Sequence, residues 1–395
     1  MISQRQLFLQ HVGQTSDSPL CLEIEKAEGI YLIDVTGKKY IDLISGIAVS
    51  NLGHSHPEIK KAVHEQVDRH MHLMVYGEYI QSPQVEYAKL LTDQLPAQLS
   101  SVYFVNSGSE ANEGAIKLSK RYTSRSEVVA FKNAYHGSTQ ALMSLMSNNY
   151  YTKAFRPLMP DVRLLEFNND AQLEQISTKT ACVIIEPIQG EAGVVLPTGN
   201  FLAKVRQKCD EIGALLIFDE IQTGFGRTGN LFAFQKYNVV PDILTIAKAM
   251  GGGMPIGAFV NSAKIMNSLT NNPVLGHITT FGGHPVSAAA AIASLKVLLN
   301  STLIDEACQK GENFVSQLKH KQIKSIRGTG LFYSIELQNS QKVQNFIKAS
   351  LKRGLITDWF LHCDYRLRIA PPLIITEEQL NEVAAIMLDS FDEIC

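Results

Sequence analysis

Little in this sequence of 395 residues favours a disulfide-stabilised, membrane-spanning or nucleic-acid-binding protein. The six cysteines are scattered and form no CxxC pair, which predicts reduced thiols in a cytoplasmic protein. No run of about 18 apolar residues occurs, and the first residues lack a basic stretch followed by an apolar one, so we expect neither a membrane span nor a signal peptide. The net charge of −2, from 36 basic and 38 acidic residues, gives no strong field for nucleic acid or an anionic membrane.

The centre of the chain alternates short apolar runs with longer helical patterns. The hydrophobic fraction of 45% is enough for a large core, and continuously apolar runs are typical of strands buried on both faces. Helices are predicted over residues 110–121 and 201–212, so the alternation indicates an α/β domain with a mostly parallel sheet. The predicted strands are 102–105, 128–131, 162–167, 182–185, 215–218, 243–247 and 257–260.

The two ends of the chain have a different pattern. Residues 300–395 predict helices over 304–320 and 343–353 and from Thr376, separated by strands at 330–337 and 367–369. This order is typical of a smaller α+β domain. Residues 1–55 predict a hairpin with strands at 30–34 and 39–42, which we expect to join the C-terminal part. The expected division is therefore 1–55 with 300–395 as a small domain, and 56–299 as a large domain.

A first candidate site lies where a predicted strand ends and a helix begins, at Ser107, Gly108 and Ser109. Small residues there leave the N–H groups of the first helical turn open, and these groups with the helix dipole favour a phosphate. The alternative is an ordinary helix cap, since serine is a good capping residue.

Two further candidates stand at the carboxyl ends of apolar strands, where ligands bind in parallel α/β sheets. Asp219 is placed for catalysis, metal binding or contact with a cationic ring, or is only a capping or surface residue. Lys248 precedes three glycines, and a desolvated lysine with a lowered pKa is a candidate for Schiff-base formation. The alternative for Lys248 is a surface lysine before a flexible turn.

Two other patterns carry less weight. Gly224, Gly226 and Gly229 fit the spacing G-x-G-x-x-G, but no helix follows directly and the next acid precedes its strand, which argues against a dinucleotide site. The histidines at 54 and 56, and those at 70 and 72, have a spacing that suits neither one helix face nor a tetrahedral zinc site. No metal is therefore expected.

Several segments taken together resemble the class III aminotransferases, pyridoxal-phosphate enzymes of fold type I. The resemblance extends from about residue 45 to residue 372 and is strongest to the acetylornithine, ornithine and 4-aminobutyrate branch. It implies a mostly parallel seven-stranded sheet in a large domain plus a small α+β domain. The segments are NSGSEANE at 106–113, YHG at 135–137, EPIQGE at 186–191, LIFDEIQTGFGRTG at 216–229, AKAMGGGMPIG at 247–257 and TTFGG at 279–283.

The resemblance implies a role for each matching residue. Lys248 matches the lysine that binds pyridoxal 5′-phosphate and moves the substrate proton, and Asp219 matches the carboxylate that keeps the pyridine nitrogen protonated, as an electron sink requires. It further implies an active site at a homodimer interface. The other matching residues are Ser107, Gly108 and Ser109 for the phosphate, Tyr135 for stacking on the ring, Gln222 near the phenolic oxygen, and Thr280 for the phosphate of the partner subunit.

Two residues resemble the substrate switch of the family. Glu191 and Arg368 match a pair that separates so that Arg368 binds the α-carboxylate of glutamate or 2-oxoglutarate, a task for which arginine is suited because it grips carboxylates bidentately. The alternative for Arg368 is a structural ion pair, and Arg227 is expected to be structural. Ser138 occupies a substrate-binding position where the related enzymes usually have arginine, so the identity of the donor is left open. His284 stands where asparagine is common, and it receives no interpretation.

The sequence therefore predicts transamination of an amino donor, of the terminal-amine kind found in acetylornithine or ornithine, with 2-oxoglutarate as acceptor. One alternative is a mutase or decarboxylase of the same fold, but the presence of Arg368 and Glu191 favours a second carboxylate substrate. The other alternative is a catalytically silent relative without cofactor, against which the presence of both Lys248 and Asp219 argues.

Overall fold

The computed structural model describes residues 2–75 and 77–394. Its centre is a seven-stranded sheet, in which only the strand Gly257–Asn261 runs antiparallel to its neighbours. The predicted mostly parallel sheet is thus confirmed. The spatial order of the strands is Ser101–Val105, Gly257–Asn261, Ile243–Ile246, Leu215–Asp219, Thr180–Ile185, Glu127–Phe131 and Val162–Leu165.

The apolar runs of the central strands explain this arrangement. Every residue of Thr180–Ile185, Leu215–Asp219 and Ile243–Ile246 is buried. A strand buried on both faces needs apolar side chains on both, which continuous runs supply and alternating patterns do not. The observed bounds differ from the predicted ones by at most two residues at either end, and the strand predicted at 162–167 ends at Leu165.

Helices cover the sheet and fill the rest of the fold. Three of the longer helices were not predicted, of which Pro285–Leu299 packs against both Pro57–Arg69 and Ser82–Thr92. Pro285–Leu299 is rich in alanine and buried around most of its circumference, so it lacks the amphipathic pattern of a surface helix. The remaining helices are Gln4–His11, Ser45–Ala48, Gly108–Thr123, Gln140–Met143, Asn149–Thr152, Phe201–Ile212, Ala233–Tyr237, Ala263–Met266, Leu303–Gln317, Ser340–Lys352 and Glu377–Glu393. Short 3₁₀ helices span Lys153–Phe155, Asp170–Gln175, Lys248–Gly251 and Asn267–Leu269.

Two four-stranded sheets lie outside the central one. In the first, the N-terminal strand Lys39–Asp42 pairs in parallel with Leu355–Ile356, so the two ends of the chain share a sheet. This pairing supports the expectation that residues 1–55 join the C-terminal part, while the exact domain limits stay a prediction. The first sheet consists of Ile24–Glu28, Tyr31–Asp34, Lys39–Asp42 and Leu355–Ile356, and the second of Ser325–Thr329, Phe332–Glu336, Cys363–Ile369 and Trp359–Phe360.

Some general features of the described residues bear on the function. None of their helices alone is long and apolar enough to cross a membrane, although Pro285–Leu299 and Leu303–Gln317, bent by 68°, pass together on length and composition. Five described cysteines are free. No group of three or more histidine, cysteine, aspartate or glutamate side chains with the placement of a metal site occurs within residues 2–75 and 77–394.

Candidate active site

A cavity of about 390 Å³ opens at the carboxyl ends of the strands Leu215–Asp219 and Ile243–Ile246. This is the edge at which parallel α/β sheets bind ligands. The cavity brings together residues that lie up to 207 positions apart, from Val49 to Ile256. Seven of the residues selected from the sequence line it, namely Ser107, Gly108, Ser109, Tyr135, Asp219, Gln222 and Lys248.

Lys248 begins the 3₁₀ helix that follows the strand Ile243–Ile246. Its φ of 49° lies in the left-handed region, which is uncommon for a residue with a Cβ and costs of the order of 1–3 kcal/mol. Burial lowers the pKa of the Lys248 amine, and the nearby carboxylates of Glu191 and Asp219 only partly oppose this effect. A strained backbone and a lowered amine pKa are typical of a lysine used in covalent chemistry.

Asp219, the last residue of its strand, is buried and held by two side chains. Asn112 Nδ2 donates to Asp219 Oδ2 over 2.8 Å, and His136 Nδ1 lies 2.7 Å from the same oxygen. Oδ1 accepts the backbone N–H of Ile221 at 3.1 Å. Because three donors converge on one carboxylate, its orientation toward the cavity is fixed.

Asn112 and His136 received no role from the sequence, although both lie inside the quoted segments. Asn112 Nδ2 also donates to the carbonyl of His136 over 2.8 Å, so the two residues support each other as well as Asp219. Their positions in the sequence could have indicated a role, because Asn112 lies one turn into the helix that follows the serines and His136 directly follows Tyr135.

The turn around Ser107 is built from small residues in close contact. Ser107 caps the helix Gly108–Thr123, and its Oγ accepts the backbone N–H of Glu110 at 3.2 Å. A Cβ on Gly257 would lie 2.6 Å from the Ser107 carbonyl oxygen, and a Cβ on Gly137 would lie 2.3 Å from Ser109 Oγ. Glycine is therefore required at both positions, because any side chain would fill this cradle.

The residues present fit pyridoxal phosphate, the cofactor that the resemblance implies. The open helix start at Gly108 and the hydroxyls of Ser107 and Ser109 suit a phosphate. The fixed carboxylate of Asp219 suits a protonated ring nitrogen. Gln222 Oε1 is buried without a hydrogen-bond partner in the described part of the chain, and thus offers an unused polar atom at the cavity wall.

Glu186 lines the cavity and is buried. Burial raises the pKa of its carboxyl to about 7, against the opposing effect of His136. The carboxyl accepts the backbone N–H groups of Tyr135 at 3.1 Å and Gly190 at 2.8 Å. Glu186 thereby connects two segments of the chain, namely the segment that contains Tyr135 and the loop that leads to Glu191.

Glu191 and Arg368 form a buried bidentate ion pair, with Nη1–Oε1 and Nη2–Oε2 distances of 2.8 and 2.9 Å. Burial opposes ionisation of Glu191, but Arg368 outweighs it and holds the pKa of Glu191 at about 2. Gln222 Nε2 donates to Glu191 Oε1 over 3.1 Å, which connects the pair to the cavity wall. The pair itself lies behind this wall rather than on it.

Ser138 and Thr280 lie outside the cavity lining. Ser138 is exposed, and its Oγ lies 2.9 Å from the hydroxyl of Tyr135. Thr280 is exposed within the segment 270–281, most of which faces outward. His284 caps the helix Pro285–Leu299 through Nδ1 and stacks on His72 with ring centroids 5.6 Å apart.

Arg227 is fully buried away from the cavity. Its guanidinium donates to the carbonyls of Leu331 and Pro371 and to Asn51 Oδ1. It thus joins the glycine-rich turn to three separate segments, which agrees with the structural role expected for it.

Comparisons with known proteins identify the family of the chain. The family model described as aminotransferase class-III matches residues 12–391. Acetylornithine aminotransferase of Methanocaldococcus jannaschii is 38% identical over 383 residues, which cover 93% of this chain and 93% of the relative. Succinylornithine transaminase of Yersinia pseudotuberculosis is 38% identical over 411 residues, covering 99% and 97%.

Solved structures give the same result. Ornithine aminotransferase from Toxoplasma gondii superposes with a TM-score of 0.91 at 28% identity, covering 98% of this chain and 93% of the other. The omega transaminase from Pseudomonas jessenii in complex with PMP gives a TM-score of 0.92 at 26% identity, covering 99% and 98%. The chain therefore belongs to the class III aminotransferases, and it is a pyridoxal-phosphate-dependent transaminase.

Proposed function

We propose that this enzyme transfers the terminal amino group of a donor to 2-oxoglutarate, at an active site built by two copies of the chain. The observation that carries the proposal is the buried Glu191–Arg368 pair beside the cavity of Lys248 and Asp219. An arginine that exchanges an internal carboxylate for a substrate carboxylate suits an enzyme that must accept a donor in one half-reaction and a dicarboxylate in the other.

Each chemical task of a transaminase can be assigned to a residue of this chain. Pyridoxal phosphate, when bound, supplies a ring that takes up the electron pair left on the substrate carbon after deprotonation. Asp219 keeps the ring nitrogen protonated, and Ser107, Gly108 and Ser109 bind the phosphate. Lys248, whose lowered pKa leaves a larger share of the amine unprotonated, would take the proton from the substrate carbon and deliver it to the bound cofactor.

Tyr135 and Gln222 orient the ring. Tyr135 lies on the cavity wall, and its phenol is fixed by Ser138 at 2.9 Å, so its ring can cover one face of the cofactor. Gln222 contributes its unpartnered Oε1 at the same wall while Nε2 stays bound to Glu191. Tyr135 would thus hold the pyridine ring by stacking, and Gln222 would offer a polar group at its edge.

The donor pocket of this chain has no cation at position 138. Ser138 offers a neutral hydroxyl that is already engaged with Tyr135. Arg156, a candidate to replace the missing arginine, is exposed and donates to Asn149 Oδ1 over 2.9 Å. We therefore propose broad donor tolerance that extends to diamines and to amines whose carboxylate is masked or distant, as well as acetylornithine and ornithine.

An exposed apolar segment supports the homodimer. Val274, Leu275, Ile278 and Phe281 are 71, 53, 49 and 53% exposed, and they surround Thr280. Phe281 contacts His72, whose own segment exposes further apolar side chains, at 4.9 Å between ring centroids. An exposed apolar surface of this kind is typical of a protein interface, and it supports the proposal that Thr280 reaches the phosphate of the partner subunit. We place the dimer in the cytoplasm, in keeping with its free cysteines.

The test is a donor panel on the purified holoenzyme, with each half-reaction followed by the visible absorbance of the cofactor. N-acetylornithine, ornithine, 4-aminobutyrate, lysine and putrescine are compared in single turnover, and 2-oxoglutarate then restores the starting spectrum. We expect several donors to react and glutamate to form in equal amount to the carbonyl product. A product without glutamate would instead favour a mutase or decarboxylase. If N-acetylornithine alone reacts, with a single-turnover rate about a thousandfold above that of putrescine, the broad donor tolerance inferred from Ser138 is refuted.

A further inference from the structure

Arg368 has a second carboxylate partner in addition to Glu191. Its Nε donates to Asp358 Oδ1 over 2.9 Å, while Nη1 and Nη2 bind Glu191. The guanidinium thus divides its donors between two carboxylates, one on the Nε side and one on the Nη edge. The guanidinium of arginine is planar and rigid. A partner bound at Nε therefore fixes the direction in which the two Nη groups point.

The backbone ties Asp358 to Arg368 and not to Glu191. The N–H of Arg368 donates to the Asp358 carbonyl over 2.9 Å, and Thr357 Oγ1 donates to the Arg368 carbonyl over 2.6 Å. The carbonyl of Trp359 also accepts from Nη2 at 3.2 Å. Glu191, by contrast, belongs to the loop after the strand Thr180–Ile185. Its carboxylate also accepts the backbone N–H of Leu361 over 2.9 Å, and its carbonyl accepts that of His362 over 3.1 Å. A movement of the Glu191 side chain away from Arg368 breaks the contact with Leu361, but it breaks none of the contacts that join Asp358, Thr357 and Trp359 to Arg368.

The charge balance gives Asp358 a consequence for substrate exchange. Separating a buried ion pair is costly when it leaves one charge without a partner. If Glu191 leaves Arg368, Asp358 still compensates the guanidinium, whose plane lies over the Phe360 ring at 4.4 Å. Burial raises the pKa of Asp358 to about 6, so the carboxyl is ionised above neutral pH and can serve as this partner.

We propose that Asp358 is a positioning residue that keeps the Nη edge of Arg368 directed at the active site while Glu191 is exchanged for the carboxylate of the acceptor. This inference rests on the proposed function, since it presupposes that Arg368 binds a dicarboxylate. It predicts that loss of the acceptor atom at position 358 weakens dicarboxylate binding more than it slows the reaction with the amino donor.

A second buried arginine on the strand of Arg368 provides a matched control for the loss of a carboxylate partner. Arg366, two residues before Arg368, forms an ion pair with Glu336 on the adjacent strand. Glu336→Gln removes a carboxylate from a neighbouring buried arginine without touching Arg368. Its effect measures the general cost of weakening an arginine pair in this sheet.

The experiment uses the holoenzyme and four variants, Asp358→Ala, Asp358→Asn, Glu336→Gln and Arg368→Lys. Binding of glutarate, an unreactive dicarboxylate, is measured by calorimetry, and the two half-reactions are timed separately by absorbance. For Asp358→Ala we expect the glutarate Kd and the KM for 2-oxoglutarate to rise about tenfold or more, by loss of a charge-assisted hydrogen bond. Asp358→Asn, which retains an oxygen acceptor for Nε but loses the charge, should recover part of the loss, and Glu336→Gln should stay within about twofold of the unmodified enzyme.

Two outcomes would overturn the positioning role. A glutarate Kd within about twofold of the unmodified enzyme for Asp358→Ala would do so, as would an Asp358→Asn enzyme as weak as Asp358→Ala. If Asp358→Ala does not fold, the positioning role is tested by comparing Asp358→Asn with Glu336→Gln. Asp358→Asn must then weaken glutarate binding measurably more than Glu336→Gln, and equal binding by the two variants would overturn the role. Arg368→Lys separates the two proposals, because unchanged glutarate binding in that variant would refute the proposed carboxylate site itself.

Discussion

His136 Nδ1 lies 2.7 Å from Asp219 Oδ2, and both side chains are buried at the base of the cavity. A carboxylate accepts only, so the histidine donates its Nδ1–H and orients the oxygen. The residue that we assign to the cofactor ring is therefore held by a partner 83 positions away in the sequence. This arrangement makes the role of the Asp219 charge testable with an isosteric change.

Asp219→Asn should retain the shape of the site and lose its charge. We expect the rate of substrate deprotonation to fall by orders of magnitude, because the ring nitrogen then loses the anion that keeps it protonated, while the phosphate contacts retain some cofactor. Single-turnover absorbance with a reactive donor measures this rate. A variant with nearly the full single-turnover rate would show that Asp219 is not the ring partner.

Lys248→Ala should abolish turnover and remove the visible absorbance that depends on covalent attachment of the cofactor. The physical reason is that no other amine lines the cavity among the described residues. Absorbance spectra and steady-state rates provide the measurement, and circular dichroism checks folding. Lys264→Ala, at an exposed lysine of the helix Ala263–Met266, is the control and should retain both properties. Substantial turnover by Lys248→Ala would end the assignment.

Ser138→Arg should restore a carboxylate-binding cation to the donor pocket. A charge-assisted contact contributes roughly 1.5–3 kcal/mol, so donors with a carboxylate should gain about 10- to 100-fold in kcat/KM relative to putrescine. Ser126→Arg, at an exposed position near the amino end of the strand Glu127–Phe131, controls for added charge. Equal gains for putrescine and ornithine would contradict a carboxylate contact at position 138.

Glu186 should make stability depend on pH. Its pKa is about 7 in the folded protein against 4.5 for an unperturbed glutamate, so between these values the folded state holds a proton that the unfolded state has lost. Stability contributed by this group therefore falls as pH rises from about 4.5 to about 7, by an amount of the order of 3 kcal/mol.

Urea unfolding of the cofactor-free protein at about pH 5 and about pH 8 measures this effect. In Glu186→Gln the decrease between the two pH values should be smaller than in the unmodified protein. Glu382→Gln, at an exposed residue of the helix Glu377–Glu393, should behave like the unmodified protein. An unchanged decrease in Glu186→Gln would place the proton on another group.

Ile278→Glu should disrupt the dimer proposed from the exposed apolar segment. The new charge would be buried in the interface without a partner, which is costly. Light scattering after size exclusion should show a shift toward monomers, and the protein should retain less cofactor because Thr280 no longer reaches a partner phosphate. Val35→Glu, at a residue 57% exposed that follows the strand Tyr31–Asp34, is the control. A fully dimeric Ile278→Glu would refute this interface.

The sequence by itself determined the α/β class, the seven central strands and the cofactor. The three innermost strands are four to six residues long and apolar except for one residue each, and such a composition is a local property that does not depend on which strands become neighbours. The segments around Ser107, Asp219 and Lys248 are likewise local, because each joins a strand end to a turn whose residue types are set by close backbone contacts. Only the short strands Ile24–Glu28, Ser325–Thr329, Leu355–Ile356 and Trp359–Phe360 were missed in the outer sheets.

Tertiary structure alone decided which distant side chains support the site. The contacts of Asp219 with Asn112 and His136 span 107 and 83 positions, and no local pattern encodes them. The contact between Glu191 and Arg368, 177 positions apart, was expected only from the family resemblance. The place of Asp358 beside Arg368 depends on the pairing of the two-residue strand Trp359–Phe360 with Cys363–Ile369. So short a strand has too few residues to show a period, and it forms because a neighbouring strand supplies its hydrogen bonds.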